Sequence, residues 1–421
     1  MNAESILQSY QHFGVHLGLE RIHQLLQKLD NPHQQVPIIH IAGTNGKGSV
    51  CAYLSSVLTE AGYRVGRYTS PHLIDWTERI CINQKPISPT ELQQCLERVV
   101  AATENNTETP TQFEIITAAA WLYFAEQKTD IAVIETGLGG RLDATNVCET
   151  PLVSVITSIS LDHWQILGPT VADIAGEKAG ILKAKCPAVI GELPESARIV
   201  VEKRIQELDC PATWVKPAID LGQGFAEYQL NQNAVKIKYK LPLLGKIQLM
   251  NSAIAIATLQ TLQNQGWQIS PTAIENGIAK TQWPGRLQQT TWKNRNILID
   301  GAHNPAAAIA LREYVDRLNN HPSPINWVIG ILATKDCDDI LKALLKKGDR
   351  LYLVPVPDQN SSSPAELATL AQIICPELTF CQAFPDLTTA LDAAVTDDNL
   401  TILCGSLYLV GYFLQQQQSQ A

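Results

Sequence analysis

A surplus of basic residues is missing from these 421 residues. Against 32 Lys and Arg stand 41 Asp and Glu, a formal net charge of −9. Chains that neutralise many nucleic-acid phosphates normally carry a basic excess, so nucleic acid is not an expected partner. The ten cysteines (Cys51, Cys81, Cys95, Cys148, Cys186, Cys210, Cys337, Cys375, Cys381 and Cys404) include no Cys-x-x-Cys pair and no short disulfide framework. Several sit inside apolar runs, such as Cys404 in TILCGS, where a free thiol acts as a small hydrophobe. A reducing, cytoplasmic compartment is therefore expected. No apolar run approaches the ~20 residues a membrane helix needs. The N-terminal MNAESILQSYQHF lacks the basic-then-apolar order of a signal peptide. The tail LQQQQSQA reads as a frayed end.

What is present is an ordinary globular balance, 45% hydrophobic and 17% charged, in a chain long enough for two or three domains. Near-continuous aliphatic runs at 36–42, 130–137, 152–159 and 188–192 read as parallel strands covered on both faces. Helical patterns lie between them, SVCAYLSSVLTEAG and QFEIITAAAWLYFAEQ among them. This alternation predicts an α/β doubly wound domain. From about Pro211 to Leu249 the texture changes to polar/apolar alternation, as in antiparallel strands with one wet face. A helix NSAIAIATLQTLQNQG and a Pro-Gly break in WPGRLQQ come next, and then a second βαβ series. In that series NILIDGAH, NWVIGILA, DRLYLVPV and TILCGSLYLVG read as strands. The expected boundary is near residue 290, giving domains 1–289 and 290–421, the second of about 130 residues.

The most informative stretch is PIIHIAGTNGKGSVCAYLSSVL. A strand runs into Gly43, Thr44, Asn45, Gly46, Lys47, Gly48 and Ser49, and then into a helix. Relative to the usual G-x-x-x-x-G-K-[ST], Ile41 replaces the first glycine, and Ser49 comes one residue late, after Gly48. The context still suits phosphate. Glycines let backbone N–H groups converge, Lys47 adds charge, and the helix N-terminus adds its dipole.

Ligands of open α/β sheets bind at carboxyl ends of strands. Other expected strand ends carry Ser70, Pro71 and His72; Glu135, followed by TGLGGRLDATN; and Asp162-His163. Glu135 suits a Mg2+ ligand beside a phosphate loop, while His163 is as readily structural. Lys178 and Lys183 in GEKAGILKAK read as solvated helix lysines. Arg141, Asp143 and Asn146 read as exposed on a polar loop, for substrate or simply for the turn. In the second series, DGAHNP offers Asp300, His303 and Asn304, and Arg286 lies at the expected hinge, able to meet phosphate or form an ordinary salt bridge. These residues point to ATP and Mg2+ chemistry and leave kinase, ATPase, ligase and a non-catalytic nucleotide-binding module open.

Taken in order, LGLERI, HIAGTNGKGS, TSPHL…ERI, ETGLGGRLDATN, SLDH, EKAGI, WPGR, DGAHNP and GSLYLVG resemble the folylpolyglutamate synthase/dihydrofolate synthase family, a branch of the Mur ligases, over roughly residues 14 to 412. The resemblance implies a P-loop doubly wound domain followed by a Rossmann-like α/β domain. It implies ATP-dependent ligation of L-glutamate to dihydropteroate and to the γ-carboxyl of folates through an acyl phosphate, with folylpolyglutamate synthesis alone as the alternative, by a monomer acting on small molecules. By motif position, Gly43 to Ser49 match the phosphate loop. Ser70 and Glu135 match ligands of one Mg2+, and His163 matches a ligand of a second. Lys178 matches a lysine carboxylated by CO2. Asn251, Arg286, Asp300 and His303 match nucleotide-contacting positions. Phe113, Asp143 and Asn146 match the pterin side, where an aromatic at 113 suits stacking, and Ser406 matches the glutamate and phosphate end. Lys47, Lys178, His163 and Asp300 are the expected catalytic set. Two departures stand out: Ile74-Asp75-Trp76-Thr77 replaces a basic residue followed by Phe-Asn, and LGKIQLMNSAIA lacks the usual His-Gln ahead of Asn251. A UDP-sugar Mur ligase carries about 100 residues before its phosphate loop, and only 42 precede Gly43, which disfavours that alternative.

Overall fold

A computed structural model describes residues 2–11, 16–104, 108–229, 235–318 and 324–420. The chain divides into two compact units. The first comprises Met1–Ser160, Trp164–Pro242 and Gln248–Gln282; the second comprises Leu161–His163, Leu243–Ile247 and Trp283–Ala421.

The first unit is built on β1 (Ile38–Ala42), β2 (Val65–Tyr68), β3 (Ile80–Ile82), β4 (Lys85–Pro86), β5 (Ile131–Glu135), β6 (Val153–Ile156), β7 (Ala188–Ile190) and β8 (Ala212–Trp214). Among the described residues these form one sheet in the order β4-β3-β2-β5-β1-β6-β7-β8. Pairing is parallel from β2 to β8 and antiparallel for β2–β3 and β3–β4. The aliphatic runs IIHIA, IAVIE and VSVI are buried at every position, as a sheet covered on both faces requires. One core joins Ile38, Ala132 and Ile134 to the helices Pro89–Ala102 and Gln112–Glu126. Another joins Ile156 and Ile190 to the helices Val171–Ala179 and Glu195–Glu207. Thr111 and Thr170 each cap their helix through a reciprocal capping box, with Glu114 and Asp173, which fixes where those helices begin.

The alternating stretch forms a small antiparallel sheet of β9 (Ile219–Gly222), β10 (Phe225–Tyr228) and β11 (Ile237–Lys240), in the order β11-β10-β9. In β11 the burial alternates along IKYK. Residues 230–234 of that stretch lie outside the described residues. The strand expectation ends too late: Ile247–Asn264 is one helix, so the apolar IQLM belongs to it. Short apolar runs do not distinguish strand from buried helix by period alone.

The second unit has β12 (Gln288–Trp292), β13 (Arg295–Ile299), β14 (Ile325–Ile329), β15 (Arg350–Leu353), β16 (Phe380–Ala383) and β17 (Leu400–Cys404), ordered β12-β13-β17-β14-β15-β16. All of its pairs are parallel except β12–β13. Buried Asp349 ties this core together. It accepts hydrogen bonds from Arg312 Nη1 (2.5 Å), Trp327 Nε1 (3.0 Å) and the Lys346 amide (3.0 Å). TILCGSLYLVG is only half strand, because Gly405 takes φ +99° and the helix Leu407–Gln420 comes next. That helix also runs through most of the tail read as frayed; Ala421 lies outside the described residues. Gln417 anchors it by donating to the Thr291 carbonyl and accepting from the Thr290 hydroxyl.

Candidate active site

The phosphate-loop segment joins β1 to the helix Lys47–Glu60. Lys47, Gly48 and Ser49 form the first helical turn, so Ser49 sits within the helix and not on the loop before it. First-turn N–H groups have no acceptor in their own helix and face an incoming anion. Two glycines are required by contact as well as by angle. A Cβ on Gly43 (φ +156°) would lie 1.9 Å from Thr157 Oγ1; one on Gly46 (φ +87°) would lie 2.5 Å from Asn251 Oδ1.

The residues after β6 clasp this loop. The Thr44 amide donates to the Ser158 carbonyl (2.7 Å), and Thr44 Oγ1 donates to the Ser160 carbonyl (3.2 Å). Thr157 Oγ1 and Ser158 Oγ both donate to the Asn45 carbonyl, at 2.7 and 3.0 Å. The charged groups come from neighbouring strand ends. Lys47 Nζ donates to the carbonyls of Gly43 (3.1 Å) and Thr44 (3.3 Å) and stands 3.9 Å from Glu135 Oε1. Glu135, buried at the end of β5, accepts from the Ser70 amide at 3.3 Å. Lys178 is not a solvated lysine. Only 5% of its surface is exposed, and Nζ donates to the Gly43 carbonyl at 2.9 Å.

Gln248 is a residue that sequence reasoning missed. Its Nε2 donates to Ser49 Oγ (3.4 Å), and its Oε1 accepts from Asn251 Nδ2 (3.1 Å) and Tyr53 OH (3.4 Å). Residues 248 and 251 share one helix face, so one buried turn meets both Ser49 and Gly46. The signal was the Gln248–Asn251 spacing, hidden because Ile247 breaks the expected His-Gln pair.

A second cluster surrounds the loop after β5. The Phe113 ring lies against Gly137, with Tyr68 at a centroid distance of 6.2 Å. Arg21 Nε bridges both oxygens of Glu114 at 3.1 Å, and the Gly18 amide donates to the Leu142 carbonyl at 3.4 Å. Asp143 and Asn146, read as exposed, are buried, whereas Arg141 is exposed. Asn146 Nδ2 is spent on the carbonyls of Arg141 and Gly180. Nearby, Trp76 packs on His72 (centroids 4.6 Å apart) and beneath Arg79 (4.2 Å). Arg79 Nε donates to His72 Nδ1 at 2.9 Å. Burial and the Arg79 charge push His72 down to about 3. Glu78 gathers the amides of Leu73, Ile74 and Asp75, so the atypical loop is internally braced.

In the second unit, the ends of β13 and β17 meet: the Gly405 amide donates to the Ala302 carbonyl at 2.9 Å. Asp300 accepts from the amides of Leu287 and Ala302, both at 2.8 Å. Burial pushes Asp300 above its ordinary value, against the pull of the Arg286 charge. Arg286 lies over Gly301. His303 Nδ1 donates to the Gly301 carbonyl at 2.8 Å, and Ser406, also buried, accepts from the Tyr408 amide. Asp162 is held by Lys335 Nζ (2.6 Å) and Asn304 Nδ2 (3.1 Å), with His303 Nε2 at 3.7 Å. Burial would raise the Asp162 pKa, but His303 and Lys335 outweigh it and hold the carboxyl well below the usual range. His163 (φ +51°) has Lys335 Nζ at 3.3 Å and Asp162 Oδ1 at 3.9 Å. The expected residues therefore form three groups. Gly43–Ser49, Ser70, Glu135, Lys178 and Asn251 gather at the phosphate loop. Phe113, Asp143 and Asn146 gather on the loop after β5. His163, Arg286, Asp300, His303 and Ser406 belong to the second unit.

Two family models match: the Mur ligase middle domain over residues 41–259, and the dihydrofolate synthetase C-terminal domain over residues 284–416. The chain is 36% identical to a probable dihydrofolate synthetase of Schizosaccharomyces pombe, covering 94% of this chain and 97% of that protein. It is 34% identical to the dihydrofolate synthase/folylpolyglutamate synthase of Bacillus subtilis, covering 97% of each. The chain belongs to the dihydrofolate synthase/folylpolyglutamate synthase family. Its fold matches E. coli FolC in complex with DHPP and ADP, with a TM-score of 0.88 at 29% identity over 100% of this chain and 98% of that one.

Within this family's fold, Gln248 makes a specific prediction. Gln248→Leu keeps the volume but removes the bonds to Ser49 and Asn251. We expect it to weaken nucleotide binding about ten-fold by calorimetry, with the circular dichroism spectrum unchanged. An unaltered affinity would contradict the placement of Gln248 in the site.

Proposed function

We propose that this chain is an ATP-dependent ligase that joins L-glutamate to dihydropteroate, and also to the γ-carboxyl of folates already carrying glutamate. The observation that most supports this reading is that kinship to such enzymes extends over both units and nearly the whole chain. A carboxylate is inert towards amines. Transfer of the γ-phosphoryl group of ATP to it makes an acyl phosphate; the glutamate amine attacks its carbonyl carbon, and the tetrahedral adduct expels phosphate. The first-turn amides and Lys47 are suited to hold the transferred phosphoryl group, chemistry that depends on positioning and charge.

Two Mg2+ ions are part of this reading. Mg2+ prefers hard oxygen donors and often takes only one or two carboxylates, with phosphate and water completing the shell. Among the described residues no group of three or more His, Cys, Asp or Glu is placed to hold a metal ion by itself. The Ser70 and Glu135 strand ends beside Lys47 fit that sparse pattern, and His163 is the proposed protein ligand of the second ion. When bound, Mg2+ would neutralise phosphate charge. Arg286, Asp300 and His303 are proposed to serve ATP; Ser406 to serve glutamate; Phe113, Asp143 and Asn146 the pterin side. The ten cysteines are all free, which supports a cytoplasmic setting, and we take the enzyme to act as a monomer.

Carboxylation of Lys178 is proposed as well. A carbamate keeps one N–H, so the bond to the Gly43 carbonyl survives the modification. In enzyme equilibrated with 13C-bicarbonate we expect a carbamate resonance that disappears in Lys178→Arg. Its absence from active enzyme would remove this part of the proposal.

The catalytic reading predicts ATP-dependent incorporation of labelled glutamate into both dihydropteroate and monoglutamylated tetrahydrofolate. Incorporation into only one of them narrows the substrate range, and ATP binding with no incorporation into either marks a non-catalytic module.

A further inference from the structure

The buried His40 has no role in the chemistry above, yet it lies on β1 three residues before Gly43. Alternation along the strand puts it on the same face as Ile38. Its Nε2 is 2.9 Å from Thr145 Oγ1, and Thr145 Oγ1 is 2.5 Å from Asp143 Oδ1. Oδ1 also accepts from the Thr145 amide (3.0 Å), and Oδ2 accepts from the Leu138 amide (2.7 Å). His40 Nδ1 is buried with no hydrogen-bond partner.

These contacts set the direction of the protons. A hydroxyl has one hydrogen to give. If Asp143 is ionised, Thr145 donates to it and must then accept from His40, so Nε2 carries the hydrogen and the orphaned Nδ1 is a bare acceptor. If Asp143 is protonated, the relay reverses and leaves a buried Nδ1–H with nothing to bond, the rarer kind of orphan. The backbone amides on the carboxyl favour the ionised arrangement. Burial pushes Asp143 above its ordinary value, and the amides of Leu138, Thr145 and Gly137 oppose it. Burial and the charge of Lys183 push His40 down to about 3, which keeps the imidazole neutral.

We propose that His40 and Thr145 are positioning residues for substrate: the relay His40 Nε2–H to Thr145 to Asp143 fixes the loop Gly137–Asn146 to the strand that ends in the phosphate loop. This inference rests on the proposed function in one respect, that the loop faces the pterin substrate.

Two arms test it. In the kinetic arm, Thr145→Val is expected to raise the KM for dihydropteroate about ten-fold while the KM for ATP changes less than about two-fold, and Thr145→Ser is expected to restore it. A merely structural residue would lower the active fraction and the melting temperature without separating the two KM values; that result, or an unchanged dihydropteroate KM, overturns the proposal. In the second arm, 15N NMR of histidine-labelled enzyme, assigned with His40→Gln, is expected to show a neutral ring with hydrogen on Nε2 and none on Nδ1. An Nδ1–H tautomer or an imidazolium at neutral pH overturns it. If the unaltered chain shows no glutamate-dependent turnover, the functional reading fails, and the NMR arm alone decides the relay.

Discussion

Everything proposed for this protein depends on how closely the backbone of residues 43–46 is approached by its neighbours. Thr157 and Asn251 occupy the space that side chains on Gly43 and Gly46 would need. The loop is held from one side by the segment after β6 and from the other by a buried helix turn. The Gly43 carbonyl then accepts from two lysine nitrogens, Lys47 Nζ and Lys178 Nζ. A carbonyl that fixes two lysine nitrogens beside a buried carboxylate is a pre-set arrangement. It costs no reorganisation when phosphate charge arrives.

The same economy governs the loop after β5. It begins one residue beyond Glu135, and its glycines leave the Asp143 carboxyl to organise it from within. The strand that delivers the phosphate loop also carries His40, so the phosphate loop and the loop after β5 are tied to one strand. Sites built on strands and their immediate ends hold geometry better than sites on free loops. In the second unit, the ends of β13 and β17 carry Asp300, His303 and Ser406, and much of their polar capacity goes to backbone groups.

Legibility in the sequence tracked physical distinctness. The runs IIHIA, IAVIE and VSVI are near-continuous aliphatics and read correctly as buried parallel strands. The short strands β3, β4, β8 and β16, at or next to the sheet edges, offered too few residues for a period. IQLM and SLYLVG are apolar runs whose helical state is decided by the longer helices they open, not by their own pattern. Glycines with a lysine announced the phosphate loop. Its clasp did not announce itself, because Thr157, Ser158 and Gln248 are ordinary polar residues whose meaning lies in distances across more than a hundred positions. The burial of Lys178, Asp143 and Asn146 was likewise invisible, since polar residues in a glycine-rich or charged context read as solvated.

The central claim is that the enzyme activates a substrate carboxylate as an acyl phosphate. Oxygen tracing tests it most directly. Dihydropteroate labelled with 18O in its carboxylate should pass one 18O atom to the phosphate released on glutamate ligation. Unlabelled phosphate formed alongside ligated product would contradict the account.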